Sequence, residues 1–249
     1  MAPDPRSDID VVATAAALAE PVERVFDELA PVAAAFAAVV AKASVEGRAT
    51  SRDLVAIRPL VERVLTGDTL LVGAGVVLEP GYLADVDRHL EWRHLGPGRK
   101  PEALLLDIDP ASDDPYDYPE MEWFRVPRDE GRRMVGGPYF DYRGADRFAL
   151  TFALPVSVDG VFAGVAGADV ALAHLESELL PVLRRVPSRA ALLNHERRVV
   201  TANTPTSSPA RGCGSRIPPR RSRCCLCSPT SGGTSCWGLP DSRRRGLDT

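Results

Sequence analysis

Lysine and cysteine are scarce in this sequence, and their positions exclude several kinds of chemistry. Only two of its 30 basic residues are lysines, Lys42 and Lys100, and the first of its five cysteines is Cys213. The first 212 residues therefore cannot form a disulfide framework or a cysteine-based zinc site. A reaction that needs a catalytic lysine in the second half of the chain is excluded as well.

Sequence motifs for nucleotides and for common hydrolases are also missing. The sequence contains no G-x-x-x-x-G-K-[ST], no G-x-G-x-x-G and no G-x-S-x-G, and its four histidines do not have the spacing of metal ligands. We therefore predict a protein without cofactor, metal or enzymatic activity.

The net charge of −4 hides an uneven distribution. Residues 1–204 carry 22 basic and 32 acidic groups, whereas residues 205–249 carry 8 and 2. An acidic body has the wrong sign for nucleic acid. The N-terminus lacks the basic and apolar regions of a secretory signal, and we find no apolar run of the ~18 residues that a membrane-spanning helix needs. We therefore expect a cytoplasmic protein with neither nucleic acid nor a membrane as partner.

Apolar residues recur at three- and four-residue steps from Val22, which predicts an amphipathic helix. Gly47 marks its end. Pro21 fits a helix start or a kink and Pro31 interrupts the pattern, so either one bent helix or two helices meeting near Ala30 would satisfy it.

A second helix follows, because Thr50 and Asp53 have the spacing of a capping box and apolar residues continue to Gly67. We interpret residues 1–66 as helices that pack on a sheet. The alternative is that their apolar stripe binds a second copy of the chain or a regulatory protein.

The remaining pattern predicts an α+β fold with an antiparallel sheet, because strands, one short helix and a long helix follow one another. We assign residues 67–185 to this domain. Its elements are strands over 70–78, 89–95 and 103–108, a short aromatic helix over 119–124, a hairpin, and a helix over 171–185.

The hairpin has the clearest signal. Asp159-Gly160 separates two β-prone runs, 147–158 and 161–170, and Asp-Gly favours a tight turn because glycine adopts positive φ without steric cost. Ten of the fifteen Phe, Trp and Tyr residues fall in residues 116–169. Aromatic side chains concentrated where loops meet a sheet predict a small-molecule pocket.

Residues 76–203 resemble the Cache sensor domains, whose PAS-like sheet binds small molecules in receptors. The nearest resemblance is to the double Cache domains that bind amino acids or amines. Their ligand-binding set is a Tyr, an Arg, a Trp-Tyr pair, a later Tyr and a final Asp. In this sequence the spacing of that set falls on Tyr116, Met121, Trp123, Phe124, Tyr139 and Asp169.

The resemblance implies a sensor without catalysis that signals through a separate partner. In the family the Arg binds the ligand carboxylate and the Asp binds its ammonium, as charge complementarity requires. Met121 cannot bind a carboxylate, so an amine ligand is favoured, with Asp169 as counter-ion and aromatic side chains as cation–π partners. Amino acids remain an alternative if Arg125 or Arg128 substitutes from a nearby turn.

Each residue also has a structural interpretation. Trp123 and Phe124 are aromatic residues of the kind that fill cores, and Asp169 could cap the helix that begins near Ala171. Asp141 is a secondary candidate for the ligand site and Glu122 another.

The segment LLLDIDPAS, residues 104–112, suggests a phosphatase-like or metal-dependent hydrolase, in which an apolar strand would present Asp107 and Asp109. That mechanism also needs a later lysine to hold phosphate, and none follows Lys100. We keep it as the alternative function.

The C-terminal part changes character twice. Residues 186–204 contain a predicted hairpin, 191–203, that would open a second sheet unit. From Pro205 onward Ser, Pro, Gly, Arg and Cys dominate, which predicts a disordered tail. Its five cysteines contain one C-x2-C pair where zinc sites need two. Because the arginine-rich body indicates GC-rich coding DNA, we hypothesise a frameshift near Pro205.

Overall fold

A computed structural model describes residues 11–141, 147–204, 225–230 and 233–238. It has the predicted α+β composition, with helices preceding an antiparallel sheet. The chain divides into two compact units, one formed by residues 23–174 and the other by the described parts of residues 1–22 and 175–249. The finer division into four regions stays a prediction.

The unit of residues 23–174 contains a six-stranded antiparallel sheet. Its strands are β1 Leu71–Leu78, β2 Leu90–Leu95, β3 Pro101–Ala103, β4 Met134–Asp141, β5 Arg147–Val158 and β6 Val161–Ala171. The strand order is β3-β2-β1-β6-β5-β4, so β6 of the β5–β6 hairpin lies beside β1 at the centre of the sheet.

Four α-helices accompany the sheet: α1 Val11–Glu46, α2 Arg58–Thr66, α3 Glu122–Glu130 and α4 Leu172–Leu183. Short 3₁₀ turns precede α2, over Asp53–Ile57, and α3, over Tyr118–Glu120. The acid of the predicted capping box forms the expected hydrogen bond: Asp53 Oδ2 accepts from the Thr50 backbone N–H at 2.8 Å.

Helix α1 is a single helix that continues through both Pro21 and Pro31. Packing of its apolar stripe offsets the backbone hydrogen bonds that the two prolines remove. Phe26 is buried and meets Phe152 of β5 edge-on with ring centroids 5.2 Å apart. Arg133 anchors the same helix through a two-pronged salt bridge with Glu23. The sequence left open whether the apolar stripe of α1 binds a partner protein. In the structure this part of the stripe packs against the sheet of the same unit.

Our estimate of the longest apolar segment was wrong. The range Val11–Val45 is long and apolar enough, by length and composition, to cross a membrane, with a mean hydropathy of 1.6 over its most apolar window. Alanine dominates this segment, so it has no conspicuous run of large apolar residues. Core helices of soluble proteins pass the same test, but only 22% of that window is buried in α1.

Successive side chains along each strand point to opposite faces of the sheet. Phe152 points to the face that α1 covers, whereas its neighbour Thr151 points to the opposite face together with Asp169, its partner in the β5–β6 register. The opposite face carries an aromatic cluster that includes Trp92 of β2. The cavity described below lies on this face.

The predicted hairpin turn is confirmed. Strands β5 and β6 pair up to Val158 and Val161, and the two residues between them have positive φ, 51° for Asp159 and 79° for Gly160. A two-residue turn with both φ values positive follows the twist of the flanking strands. The turn, together with a register shift between Val156 and Ser157, brings Thr151 and Asp169 into register.

The second unit contains a four-stranded sheet with the order β10-β9-β7-β8. The hairpin predicted over 191–203 is present as β7 Ala191–Leu193 and β8 Val199–Ala202. We predicted no further sheet after it, but β9 Cys225–Thr230 and β10 Gly233–Gly238 follow, and β9 pairs with β7. The open edge of β7 offers unpaired backbone groups to such a strand.

The hypothesis of a frameshift stays a prediction, since Pro205 lies outside the described residues, as do Cys213 and Cys224 of the cysteine set.

The side chain of Asn203 links the end of α4 to the hairpin that follows through hydrogen bonds. The Asn203 side chain donates to the backbone oxygens of Leu183, Val186 and Ser188, the last at 2.8 Å, and its Oδ1 accepts from the Ala190 N–H at 2.9 Å. We expect Asn203→Ala to lower the free energy of unfolding of this unit by about 1–2 kcal/mol, because backbone groups lose their partners. Chemical denaturation monitored by circular dichroism would measure the loss, and an unchanged midpoint would contradict it.

Candidate functional site

A cavity lies between one face of the six-stranded sheet and the segment that connects β3 to α3. It encloses about 510 Å³ free of protein atoms, counting its open mouth. Five of its lining residues are aromatic and two are carboxylates. The lining residues are Val77, Leu90, Trp92, Leu104, Leu106, Tyr116, Tyr118, Trp123, Tyr139, Asp141, Thr151 and Asp169.

A chain of hydrogen bonds runs across three strands at the base of the cavity. Thr151 Oγ1 donates to Asp169 Oδ1 at 2.6 Å. The hydroxyl of Tyr139 also bonds to Thr151 Oγ1. Because a threonine hydroxyl has one proton, which goes to Asp169, the Tyr139 hydroxyl is the donor in this second bond. Tyr139 and Thr151 thus orient the Asp169 carboxylate.

The electrostatics of the cavity centre on Asp169. Burial raises its pKa from 3.8 to about 7, the Thr151 hydrogen bond lowers it, and the charge of Asp141 raises it further. Burial, followed by the charge of Asp169, also raises the pKa of Tyr139, which stays protonated as a donor. Among the described residues that line the cavity there is no Lys, Arg or His. The described lining side chains thus include two acids and no base.

Five of the seven predicted ligand-binding residues line this cavity: Tyr116, Trp123, Tyr139, Asp141 and Asp169. They come from the segment before α3, from α3 itself and from β4 and β6. The shared cavity is a geometric fact; their contact with a ligand stays a prediction.

Met121 and Phe124 do not line the cavity. Met121 packs against the aromatic cluster, to which Trp92 and Trp123 of the cavity wall also belong, and Phe124 is fully buried in that cluster. Phe124 meets Tyr118 and Phe162 edge-on, with ring centroids 5.1 and 5.6 Å apart. Because neighbouring positions on a helix point in different directions, Trp123 faces the cavity while Phe124 faces the core.

The two arginines proposed as substitutes do not line the cavity either. The Arg128 guanidinium bonds to Asp129 at 2.9 Å and to the Pro119 carbonyl.

Asp169 is not the helix cap considered in the sequence analysis. It lies within β6, which continues to Ala171, and its Oδ1 accepts from Thr151 across the sheet. The residue that directly precedes α4 is Ala171.

Sequence reasoning missed two polar residues of the site, Trp92 and Thr151. Thr151 had a usable signal, because it is the one hydroxyl in the otherwise apolar run FALTFALPV, residues 148–156. Trp92 had none: it is 77 positions from Asp169 and approaches it only because β1 pairs with both β2 and β6.

The hydrolase alternative loses the strand on which it depended. Strand β3 ends at Ala103, so Asp107 and Asp109 lie in an irregular segment. Asp107 Oδ1 accepts from the Ser112 hydroxyl at 3.0 Å, and Asp109 Oδ1 accepts from the Ala111 N–H at 2.9 Å. These acids shape the segment that contributes Leu104, Leu106 and Tyr116 to the cavity wall.

Comparisons with known proteins agree with this geometry. Residues 57–177 match the model of a family described as methyl-accepting chemotaxis protein-like, first PDC sensor domain. The chain is also 26% identical over 136 residues to the methyl-accepting chemotaxis protein TlpQ of Pseudomonas aeruginosa. That match covers 47% of this chain and 19% of TlpQ, so the chain spans a small part of this relative.

Solved structures show the same fold at low identity. The ligand-binding domain of the Campylobacter jejuni chemoreceptor Tlp3, in complex with L-norvaline, has a TM-score of 0.53 at 14% identity, covering 94% of each chain. An extracellular domain assigned to a histidine kinase, soHK1S-Z6, has a TM-score of 0.52 at 14% identity, covering 78% of this chain and 70% of that one.

These findings overturn the predicted location. The relatives are chemoreceptors and an extracellular domain, and α1 has the length and composition of a membrane-crossing helix. The expectation of a cytoplasmic protein without a membrane is therefore wrong. It failed because it rested on the absence of a signal and of a long apolar run, and the second premise was incorrect.

The family match and the cavity coincide in the chain. Residues 57–177 include every strand of the six-stranded sheet and all twelve lining residues. The resemblance stated from Tyr116, Trp123, Tyr139 and Asp169 thus agrees with the independent match of a family model. The resemblance to Cache sensor domains is thus confirmed for residues 57–177, which match a PDC sensor domain.

Proposed function

We propose that this chain is a non-catalytic sensor module whose cavity binds a small organic amine. The observation that carries the proposal is the Asp169 carboxylate, oriented by Thr151 and Tyr139 at the base of an aromatic-lined cavity. A carboxylate in such surroundings gains most from a ligand that supplies the missing positive charge.

The charge balance supports an amine over an α-amino acid. Two carboxylates, Asp141 and Asp169, line the cavity, and none of the described lining residues is cationic. The ligand carboxylate of an amino acid would find no guanidinium and would be repelled by both acids. Trp123 and Tyr116 supply aromatic surface for the ammonium and its alkyl groups.

The comparisons supply the general kind of ligand. Tlp3 was solved with L-norvaline, which shares its ammonium group with n-butylamine and adds a carboxylate. In this chain Met121 occupies the motif position of the carboxylate-binding arginine and packs beside the aromatic wall of the cavity without lining it. We infer that the ligand of this chain has the ammonium group of L-norvaline and lacks its carboxylate.

We further propose that the domain faces the outside of the cytoplasmic membrane and passes ligand occupancy to a signalling partner. The apolar composition of α1 and the chemoreceptor relative support this placement.

Thermal denaturation in the presence of n-butylamine or butanoate tests the proposal. At 100 times its dissociation constant a ligand stabilises the folded state by about 2.7 kcal/mol. We expect the amine to raise the melting temperature and butanoate to leave it unchanged at the same ionic strength. Stabilisation by butanoate alone would contradict the proposed charge preference.

Met121→Arg should shift the selectivity of the cavity towards amino acids. A guanidinium at the start of α3 would pair with the ligand carboxylate, a charge-assisted hydrogen bond of about 1.5–3 kcal/mol, or about tenfold or more in affinity. Calorimetric titration with L-norvaline and n-butylamine measures the ratio. Met121→Leu keeps an apolar side chain and should leave the ratio unchanged. An unchanged ratio in Met121→Arg would show that this position does not face the ligand.

A further inference from the structure

The indole of Trp92 presents an unsatisfied hydrogen-bond donor to the cavity. Trp92 is 6% exposed, and its ring packs over the backbone of β1 and β6. Its Nε1 is buried and has no hydrogen-bond partner. Among the described residues that line the cavity, it is the one side chain with such a buried, unpartnered polar atom. A buried donor left unpaired is costly, so an acceptor that enters the cavity would be favoured there.

Other polar groups of the wall are already paired. The Tyr118 hydroxyl donates to the Leu78 carbonyl at 2.8 Å, and Thr151 and Tyr139 belong to the chain that ends on Asp169. These donors are committed to the protein. Among the described lining residues, Trp92 Nε1 is therefore the buried donor without a protein partner.

Gly73 places this donor beside Asp169. It pairs with Asp169 in the β1–β6 register, and a Cβ at position 73 would lie 2.9 Å from Trp92 Nε1 and 3.4 Å from Asp169 Oδ2. Both atoms therefore lie close to one point above Gly73, an approach that a side chain at residue 73 would block. One small ligand can reach the donor and the carboxylate together.

We propose that Trp92 Nε1 donates a hydrogen bond to an uncharged acceptor on the ligand, close to the ammonium that Asp169 binds. The ligand class is then an amine with a hydroxyl, ether or imine-type nitrogen a few bonds from its nitrogen, rather than a plain alkylamine. An indole N–H is a neutral donor, so it does not offset the repulsion between a ligand carboxylate and Asp169. This inference rests on the proposed amine-binding function.

Two amines of equal size measure the contribution of a ligand hydroxyl to binding separately from that of the ammonium group. 3-Aminopropan-1-ol and n-butylamine have the same number of non-hydrogen atoms and differ by a hydroxyl in place of a methyl group. We expect wild-type protein to bind 3-aminopropan-1-ol about three- to tenfold more tightly, as one neutral hydrogen bond allows. Isothermal titration calorimetry measures both affinities.

Trp92→Phe removes the N–H and retains an aromatic ring. We expect it to abolish the preference for the amino alcohol while the affinity for n-butylamine changes less than about twofold, since the ammonium contact is unaffected. Trp123→Phe is the matched comparison: it removes the other indole of the wall, so we expect it to weaken both amines alike and to keep the preference for the amino alcohol. In wild-type protein, the indole N–H resonance that Trp92→Phe removes should shift on adding 3-aminopropan-1-ol and stay in place with n-butylamine.

The outcomes separate this inference from the proposed function. If wild-type protein binds n-butylamine as tightly as the amino alcohol, or if Trp92→Phe keeps the preference, Trp92 is only part of the wall and the inference is wrong. If neither amine binds, the proposed function itself fails. The wild-type comparison and the resonance shift decide the inference even if Trp92→Phe does not fold.

Discussion

Asp169→Asn is expected to weaken binding of n-butylamine by roughly ten- to a hundredfold, because a charge-assisted hydrogen bond to the ammonium is lost. Asn has nearly the same shape as Asp, so the bond from Thr151 to its Oδ1 can persist. Calorimetric titration gives the affinity, and the melting temperature of the free variant shows whether the fold is intact.

Asp141→Asn is the matched control for this change. Asp141 lines the same cavity but lies outside the hydrogen-bonded chain of Tyr139, Thr151 and Asp169. We expect Asp141→Asn to weaken the binding of n-butylamine by less than about threefold, which is the size of a partly screened charge interaction. If both variants bind as tightly as wild type, the ammonium does not contact these carboxylates. If Asp141→Asn has the larger effect, the cation lies nearer to Asp141 than to Asp169.

The second large effect is a dependence of binding on pH. The pKa of Asp169 is raised to about 7 in the free protein, mainly by burial, whereas a primary amine keeps its proton to about pH 10. Below pH 7 the carboxyl must lose a proton before it can pair with the ammonium. The affinity of wild-type protein should then fall by up to about tenfold for each further pH unit. Asp169→Asn should bind weakly at every pH, and a flat profile for wild type would contradict the assignment.

The same shift predicts the opposite trend for the stability of the free protein. Between pH 4 and pH 7 the folded state holds the Asp169 proton more tightly than the unfolded state does, so stability falls as pH rises through this window. The raised pKa corresponds to a loss on the order of 2–4 kcal/mol between pH 4 and pH 8. Denaturation at both pH values, for wild type and Asp169→Asn, isolates this contribution. An equal pH dependence in the two proteins would show that Asp169 is not the group responsible.

Local patterns were sufficient for several elements of the fold. Asp159-Gly160 identified its turn because only two residues and their φ values are involved. Four residues of the family motif, Tyr116, Trp123, Tyr139 and Asp169, line the cavity and were identified through their spacing in a related family. Phe124 was misassigned because the direction of a side chain on a short helix depends on where that helix packs, which the adjacent Trp123 does not reveal.

Features that depend on strand order or on long-range packing could not be predicted. Trp92 meets the site through a sheet in which β1 lies between β2 and β6, an arrangement that no local pattern encodes. Pro21 and Pro31 indicated breaks in α1, but burial of its stripe keeps the helix continuous. Strand β9 joins β7 by backbone hydrogen bonds, which composition does not reveal.

A crystal structure of the complex with n-butylamine tests the central claim most directly. The account predicts the ammonium nitrogen within about 3.0 Å of an Asp169 carboxylate oxygen and its alkyl chain against the aromatic wall. An amine bound outside the cavity, or inside it with its nitrogen away from Asp169, would contradict the account.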